Sequence, residues 1–379
     1  MRLGTTPLVL LPLLVPLVWG KQASHADIMA DAPPGMIPYT YYQPELIDQY
    51  SKNAVAVRGK PYERFFTRNL YVRPSMVEPS RSPICCETQA LQPDLSDLDT
   101  ILVPASTTLQ HEDAWCAYNQ SGAGYVSSRT YFPGATADMV QWWMWWHSGE
   151  SERYMLWHPY AHVSISSSAS ATFDNPLFDD KQKLYGSVHT IREIIGDTQE
   201  DIAIHWFPPA HFGLDESRFE QAGVVADACG EIYLGPLKVI DMIHLWYKSP
   251  DGDGLVLRSR YFLASRVSLL GLLPLDPIAS PLGIQKAFVG RHIASLQFAH
   301  DQQEFTHLGG FLPHIYRRFA KPPSNATATD TASSDGPVAV VAAALSGLGT
   351  LFDGGASSNV DAAPSKGGMV KKTKRPTPA

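Results

Sequence analysis

The chain has 379 residues, 44% of them hydrophobic and 18% charged, with a formal net charge of -7. It can bury one large core or two smaller ones, and its acidic balance argues against nucleic acid as a partner. No heptads, internal repeats or spanning helix occur between residues 40 and 320.

Residues 1–26 begin with one Arg, run apolar from Pro7 to Trp19 and end in small residues. This is the pattern of a signal peptide, with cleavage expected near Gly20 or Ala26, and the run is too short for a comfortable transmembrane helix. Sequons at Asn119 and Asn325 agree with a glycoprotein that is secreted or held in the secretory lumen. The alternative is a cytoplasmic protein with an apolar leader.

From residue 27 to about 100 the chain is rich in Pro, Tyr and Arg with weak periodicity, so an N-terminal arm of short helices and loops is expected. Of four cysteines, Cys85 or Cys86 could pair with Cys116 in an oxidising compartment; the alternative is buried free thiols. With no CxxC pair, a thiolate metal site of familiar spacing is absent.

A main domain is expected over residues 101–320. Within it, residues 136–148 have helical apolar spacing and an N-cap candidate in Thr136, which predicts a buried helix. Residues 162–169, 202–207, 222–233, 237–249 and 255–265 read as strands, the last two joined in a hairpin by the Asp-Gly-Asp-Gly turn at 251–254. Residues 284–308 contain no Pro and repeat apolar residues at three and four places, predicting a long amphipathic helix that covers the sheet. Residues 321–379 have the composition of a disordered tail; the apolar patch at 337–352 is too short for a full span.

Between Trp142 and His162, twenty-one residues hold five Trp, two Tyr and three His. This composition suits a pocket that grips an aromatic molecule beside metal-capable imidazoles. In the late helix, His300 and Glu304 are four apart and can chelate one ion from a single face, although such pairs more often form a solvated surface. The apolar Ile293, Leu296, Phe298 and Phe305 border the pair. His158 and His162 share that spacing, but Pro159 disfavours helix between them. His147 is expected to cap the tryptophan helix. Carboxylates that could complete a metal site are Asp174, Glu193, Asp227 and Glu231, and spacing alone does not choose among them. No GxSxG elbow, HExxH, Walker A loop or strand-linked GxGxxG is present, which leaves metal chemistry.

Three separated motifs, RYMLWHPYAH at 153–162, RSRYFL at 258–263 and HDQQEF at 300–305, resemble the 2,4-diacetylphloroglucinol and phloretin hydrolase family. The likeness extends over roughly residues 110–310. It implies an α+β, Bet v 1-like (START-like) helix-grip domain, with an antiparallel sheet and a long C-terminal helix around an aromatic-lined cavity. It further implies a zinc ion held by His162, Glu193, His300 and Glu304, and hydrolysis of a carbon–carbon bond between an aromatic ring and an acyl group. By the same likeness Tyr154 contacts a substrate oxygen and His244 is a pocket histidine, with His147 and His158 left to wall roles. The polar residue that follows the first His ligand in the family is replaced here, since VSISS follows His162.

The expected partner is thus a small aromatic acyl ketone or polyketide, and a homodimer is an allowed assembly. A two-His, two-carboxylate set also accepts manganese or iron. Two rival functions use the same fold: a non-catalytic carrier of aromatic or polyketide ligands, separable by metal content, and a metal-dependent polyketide cyclase or dehydratase, separable by product.

Overall fold

The computed structural model describes residues 37–39, 44–67, 70–72, 95–109, 112–117, 123–196, 198–275 and 290–320. The leader, both sequons, Cys85, Cys86 and the C-terminal apolar patch lie outside these residues.

A short pair, β1 (Ile37–Tyr39) and β2 (Leu70–Val72), flanks helix α1 (Pro44–Val57). The main sheet holds β3 (Ala114–Ala117), β4 (Gly124–Phe132), β5 (His162–Ser167), β6 (Val188–Ile195), β7 (Thr198–Phe207), β8 (Val224–Leu234), β9 (Leu237–Lys248) and β10 (Leu255–Leu269). Their spatial order is β3-β4-β10-β9-β8-β7-β6-β5, antiparallel throughout, with the short β11 (Leu273–Pro274) added to β10. Helices α2 (Ala137–Trp146) and α3 (Ser151–Trp157) connect β4 to β5, and α4 (Asp180–Leu184) precedes β6. The terminal helix α5 (Gly290–Phe319) packs along β3 and β4. The antiparallel sheet and long C-terminal helix of the expected helix-grip arrangement are both present.

All five expected strands and the tryptophan helix form, and Thr136 accepts a hydrogen bond from the Met139 amide as its cap. Two expectations shift. The late helix is described from Gly290 and continues to Phe319, eleven residues beyond the predicted end at 308. It runs through Pro313, which removes one amide donor without ending the helix. Gly309 lets this helix lie against β4, because a Cβ there would sit 3.0 Å from the Tyr131 carbonyl oxygen. Strands β4 and β6 carried no clear alternation, because their buried positions include Ser127, Ser128, Thr130, His189 and Glu193. Polar residues on a buried face disguise the two-residue period that reveals a strand.

Both faces of the sheet are covered. The inner face holds the larger core, where Trp143 is fully buried and meets Trp157 and Phe311 edge-on, while Trp142 and Trp146 stack at 4.6 Å. The outer face packs against residues 95–105 and Phe212 through Phe262, Tyr247 and Leu245. Cys116, on that side, is disulfide-bonded, as the oxidised alternative expected, whereas the buried Cys229 is free. Among the described residues no helix is long and apolar enough to cross a membrane.

Candidate metal centre and cavity

Three elements converge on one point. Helix α3 ends at Trp157, ahead of Pro159, and the chain closes a turn in which the His162 and Ala161 amides donate to the His158 carbonyl. His162 then opens β5 directly opposite Glu193 of β6, and a register shift just beyond it marks a bulge. Bulges re-aim side chains beside functional sites. From α5, one turn apart, come His300 and Glu304.

His162 Nδ1 lies 3.0 Å from the Tyr154 carbonyl oxygen. That carbonyl can only accept, so Nδ1 carries the proton and Nε2 presents a lone pair. Nε2 is buried and makes no hydrogen bond. It faces Glu304 Oε2 at 3.3 Å and Glu193 Oε2 at 3.8 Å, while His300 Nε2 lies 3.8 and 3.9 Å from the same Glu193 and Glu304 oxygens. Donor atoms of His162, Glu193 and His300 all fall within 4.8 Å of one another.

The chemistry of this donor set matches a cation. Ligands about 2.0–2.2 Å from a tetrahedral ion stand roughly 3.3–3.6 Å apart, close to the separations found here. Without a cation the arrangement is unfavourable: burial pushes the Glu193 carboxyl up to about 7 and that of Glu304 well above the carboxylate range. Burial also drives both imidazoles well below their ordinary range, so they are neutral and ready to ligate.

The surroundings hold these ligands in place. Tyr154 stacks on the His162 ring at 3.7 Å and donates its hydroxyl proton to Glu193 Oε2 at 2.6 Å. His158 stacks on His300 at 4.9 Å, with Nε2 donating to Gln303 Oε1 and Nδ1 accepting from the Ala161 amide. His158 is a wall residue because its nitrogens are already engaged. His147 Nδ1 lies 2.7 Å from the Trp143 carbonyl oxygen, which makes it the expected cap.

Beside this cluster lies a hydrogen-bonded group built on Asp301, whose carboxylate accepts hydrogen bonds from the hydroxyls of Ser128, Tyr261 (2.9 Å) and Ser259. With its own proton given to Asp301, Ser259 Oγ accepts from His244 Nδ1 at 3.0 Å. His244 Nε2 is therefore the unprotonated nitrogen, 3.4 Å from the Tyr261 oxygen. Burial lowers the His244 pKa to about 3, so it is a neutral acceptor.

A cavity of roughly 150 Å³ joins the two groups, and an apolar space of about that size holds one aromatic ring. Tyr154, Glu193, His244, Tyr261, His300 and Glu304 line it together with Phe305 and Met242. Of the five tryptophans between residues 142 and 157 only Trp157 reaches it; the other four build the core around α2.

The carboxylates left open by spacing now separate. Asp227 pairs with Lys181 (2.6 Å) and accepts from Tyr185, while Glu231 pairs with His211 (3.2 Å) and accepts from Tyr233 (2.8 Å), so neither faces the imidazoles. Asp174 is likewise absent from the cavity lining.

One positioning residue had no motif to reveal it. The buried Asn53 of α1 donates to the Pro159 carbonyl at 2.9 Å and the His162 carbonyl at 2.7 Å, and accepts from Gln49 at 2.8 Å. Replacing Asn53 with Ala leaves two buried carbonyls unpaired, so a stability loss of about 1–3 kcal/mol is expected in chemical denaturation. A neutral result would show that the arm does not fix the turn before His162.

Comparison with known proteins follows the same residues. The family model described as the DAPG hydrolase PhiG domain matches residues 91–317. A 2,4-diacetylphloroglucinol hydrolase of Pseudomonas protegens is 32% identical over 79% of this chain and 98% of its own length. The phloretin hydrolase of Eubacterium ramulus is also 32% identical, over 52% of this chain and 68% of its own. Among solved structures, Ara h 8.0201 overlaps 48% of this chain and 99% of its own at 14% identity and a TM-score of 0.24.

Proposed function

Because the chain belongs to the DAPG hydrolase family, we propose that it is a metal-dependent hydrolase that cleaves the carbon–carbon bond between a phloroglucinol-type ring and its acyl group. The observation that carries this reading is the buried, unpartnered His162 Nε2 facing two carboxylates and a second imidazole at the wall of an aromatic-sized cavity.

His162, Glu193, His300 and Glu304 would hold the ion, with zinc the best match to two imidazoles and two carboxylates. Bound there, it would supply Lewis-acid polarisation of the acyl carbonyl and a more acidic water. The overall reaction is a retro-Claisen hydrolysis. Once a ring hydroxyl has tautomerised to its ketone, water adds to the acyl carbon, the ring–acyl bond breaks and its electron pair leaves with the ring as a stabilised enolate. The ring carbon keeps the hydrogen it gained on tautomerisation, and the proton from water goes to the enolate oxygen, giving a phenol and a carboxylic acid.

The residues around the cavity orient this substrate. Tyr154 commits its hydroxyl hydrogen to the bond with Glu193, so its oxygen meets a substrate hydroxyl as an acceptor. His244 Nε2 is a second acceptor, and its low basicity makes it an orienting group for a phenolic hydroxyl rather than a strong base. Phe305, Trp157 and Met242 cover the ring faces and keep bulk water out.

The test is elemental analysis of the purified protein followed by a screen of acylphloroglucinols for release of carboxylic acid. About one equivalent of metal with acid release is expected; a metal-poor protein that binds these phenols without cleaving them would instead mark a carrier.

Metal affinity should fall as pH falls. Both carboxyls bind protons more tightly than ordinary carboxylates when no cation is present, so protons compete with the ion below about pH 7 at Glu193 and from higher pH at Glu304. The imidazoles, kept neutral by burial, add no competition in that range. Chelator competition should therefore show affinity dropping by about tenfold or more per pH unit below 7. A flat profile would mean that the carboxylates do not bind the ion.

A further inference from the structure

We propose that His189 determines substrate specificity, by hydrogen-bonding a polar ring substituent on the side of the substrate remote from its acyl group. This rests on the hydrolase reading and extends it to the substrate's far end.

On β6 the inward positions alternate as His189, Ile191 and Glu193, and all three line the cavity. Four strand steps separate His189 from Glu193, about 13 Å between Cα atoms. The ring of His189 is reached from the metal cluster through Tyr154 and then His147, whose ring centroid is 5.8 Å from it, and Trp206 closes the end at 5.3 Å. One group of the inner wall is thus placed at the opposite end of the cavity from the cluster.

Neither nitrogen of His189 has a hydrogen-bond partner, although the residue is fully buried. The indole N–H of Trp206 beside it is also buried and unpartnered. By contrast, three other buried imidazoles around the cavity each have an engaged nitrogen: His147 with Trp143, His162 with Tyr154, His244 with Ser259. A neutral imidazole offers one donor and one acceptor, and either can bond a phenolic hydroxyl. Lodged among Met144, Ile191, Ile204 and Trp206, it destabilises the free protein unless a ligand supplies the missing bonds. Unfavourable local choices of this kind concentrate at sites kept for function. A ring seated with its acyl group at the cluster directs the opposite hydroxyl toward this end.

The experiment compares acetylphloroglucinol with the acetylresorcinol that keeps both hydroxyls beside the acyl group and lacks the one opposite. The metal-loaded wild type and the variants His189→Phe and His189→Gln are each assayed for turnover and, by calorimetry, for binding. Wild type should favour the phloroglucinol by roughly 10–100-fold in kcat/KM. His189→Phe should lose that preference, mainly through KM, and act on the resorcinol as wild type does. His189→Gln, which keeps a donor and an acceptor, should restore part of it.

Removal of the unpaired polar group should also raise the melting temperature of unliganded His189→Phe, by roughly 2–4 °C. A structural histidine would lower it. Equal losses on both substrates, an unchanged preference or a lower melting temperature would each overturn the proposal. Wild type that discriminates in binding but cleaves neither phenol would refute the hydrolase reading while leaving the role of His189 supported.

Discussion

Replacing His300 with Ala is expected to remove the metal and end hydrolysis in the same variant. His300 supplies one of two imidazoles, and its Nε2 sits within 4 Å of both carboxylates, so its loss leaves three donors, two of them acidic groups whose hold on protons burial strengthens. The lost Lewis-acid contribution of several kcal/mol corresponds to a fall in kcat/KM of about three decades or more. Metal content by elemental analysis should fall in parallel. Glu304→Ala should behave alike, since it comes from the next turn of the same helix.

Tyr154→Phe gives the graded comparison. It keeps the stacking on His162 but removes the bond to Glu193, so metal affinity should weaken by about 10–100-fold without being abolished. Full turnover by a metal-free His300→Ala protein would remove the ion from the reaction.

The two halves of this centre differ in how far the sequence reveals them. His300 and Glu304 are one helical turn apart, so a periodic pattern alone places them on one face. His162 and Glu193 are thirty-one residues apart and meet only because β5 and β6 pair in one register, displaced by a bulge. Spacing carries no trace of that register, and only the family resemblance separates Glu193 from Asp174, Asp227 and Glu231 in the sequence. Strand β6 escaped notice for the same reason that it matters: His189 and Glu193 occupy positions where an ordinary strand would show apolar residues.

Groups that act through others left still less signal. Asn53 reaches the turn before His162 across more than a hundred residues of chain, and Asp301 collects Ser128, Ser259 and Tyr261 from two different strands. Neither belongs to a pattern that periodicity can expose. Composition did mark the aromatic segment from Trp142 to His162, yet most of its tryptophans serve the core. Bulk and function were superimposed in one stretch, and only the inward direction of Tyr154, Trp157 and His162 separates them.

The RSRYFL segment shows the same superposition across the sheet, and its outer half carries the largest expected effect on stability. Ser259 and Tyr261 face the cavity side, whereas Arg258 points to the outer face, where it is fully buried. Its Nε donates to Glu112 at 2.6 Å, its Nη1 to the carbonyls of Val103 (2.7 Å) and Ile101 (3.3 Å), and its Nη2 to those of Thr107 (2.7 Å) and Pro104 (3.3 Å). The guanidinium also lies over the Tyr247 ring at 4.7 Å. One side chain therefore bonds four carbonyls of an irregular segment that has no sheet partners of its own.

Arg258→Ala would strip the Val103 and Thr107 carbonyls of their donor and leave the buried Glu112 carboxylate without its nearest cation, while Ile101 keeps the Tyr247 hydroxyl and Pro104 the Thr107 amide. A loss of about 3–5 kcal/mol is expected in chemical denaturation. Arg258→Lys should recover little, since an ammonium cannot reproduce a planar fork that bonds five acceptors. Because the clamp lies across the sheet from the metal cluster, the fraction of variant that remains folded should keep its metal and its KM. A loss below about 1 kcal/mol would show that the apolar contacts of residues 95–105, rather than Arg258, hold this segment on the sheet.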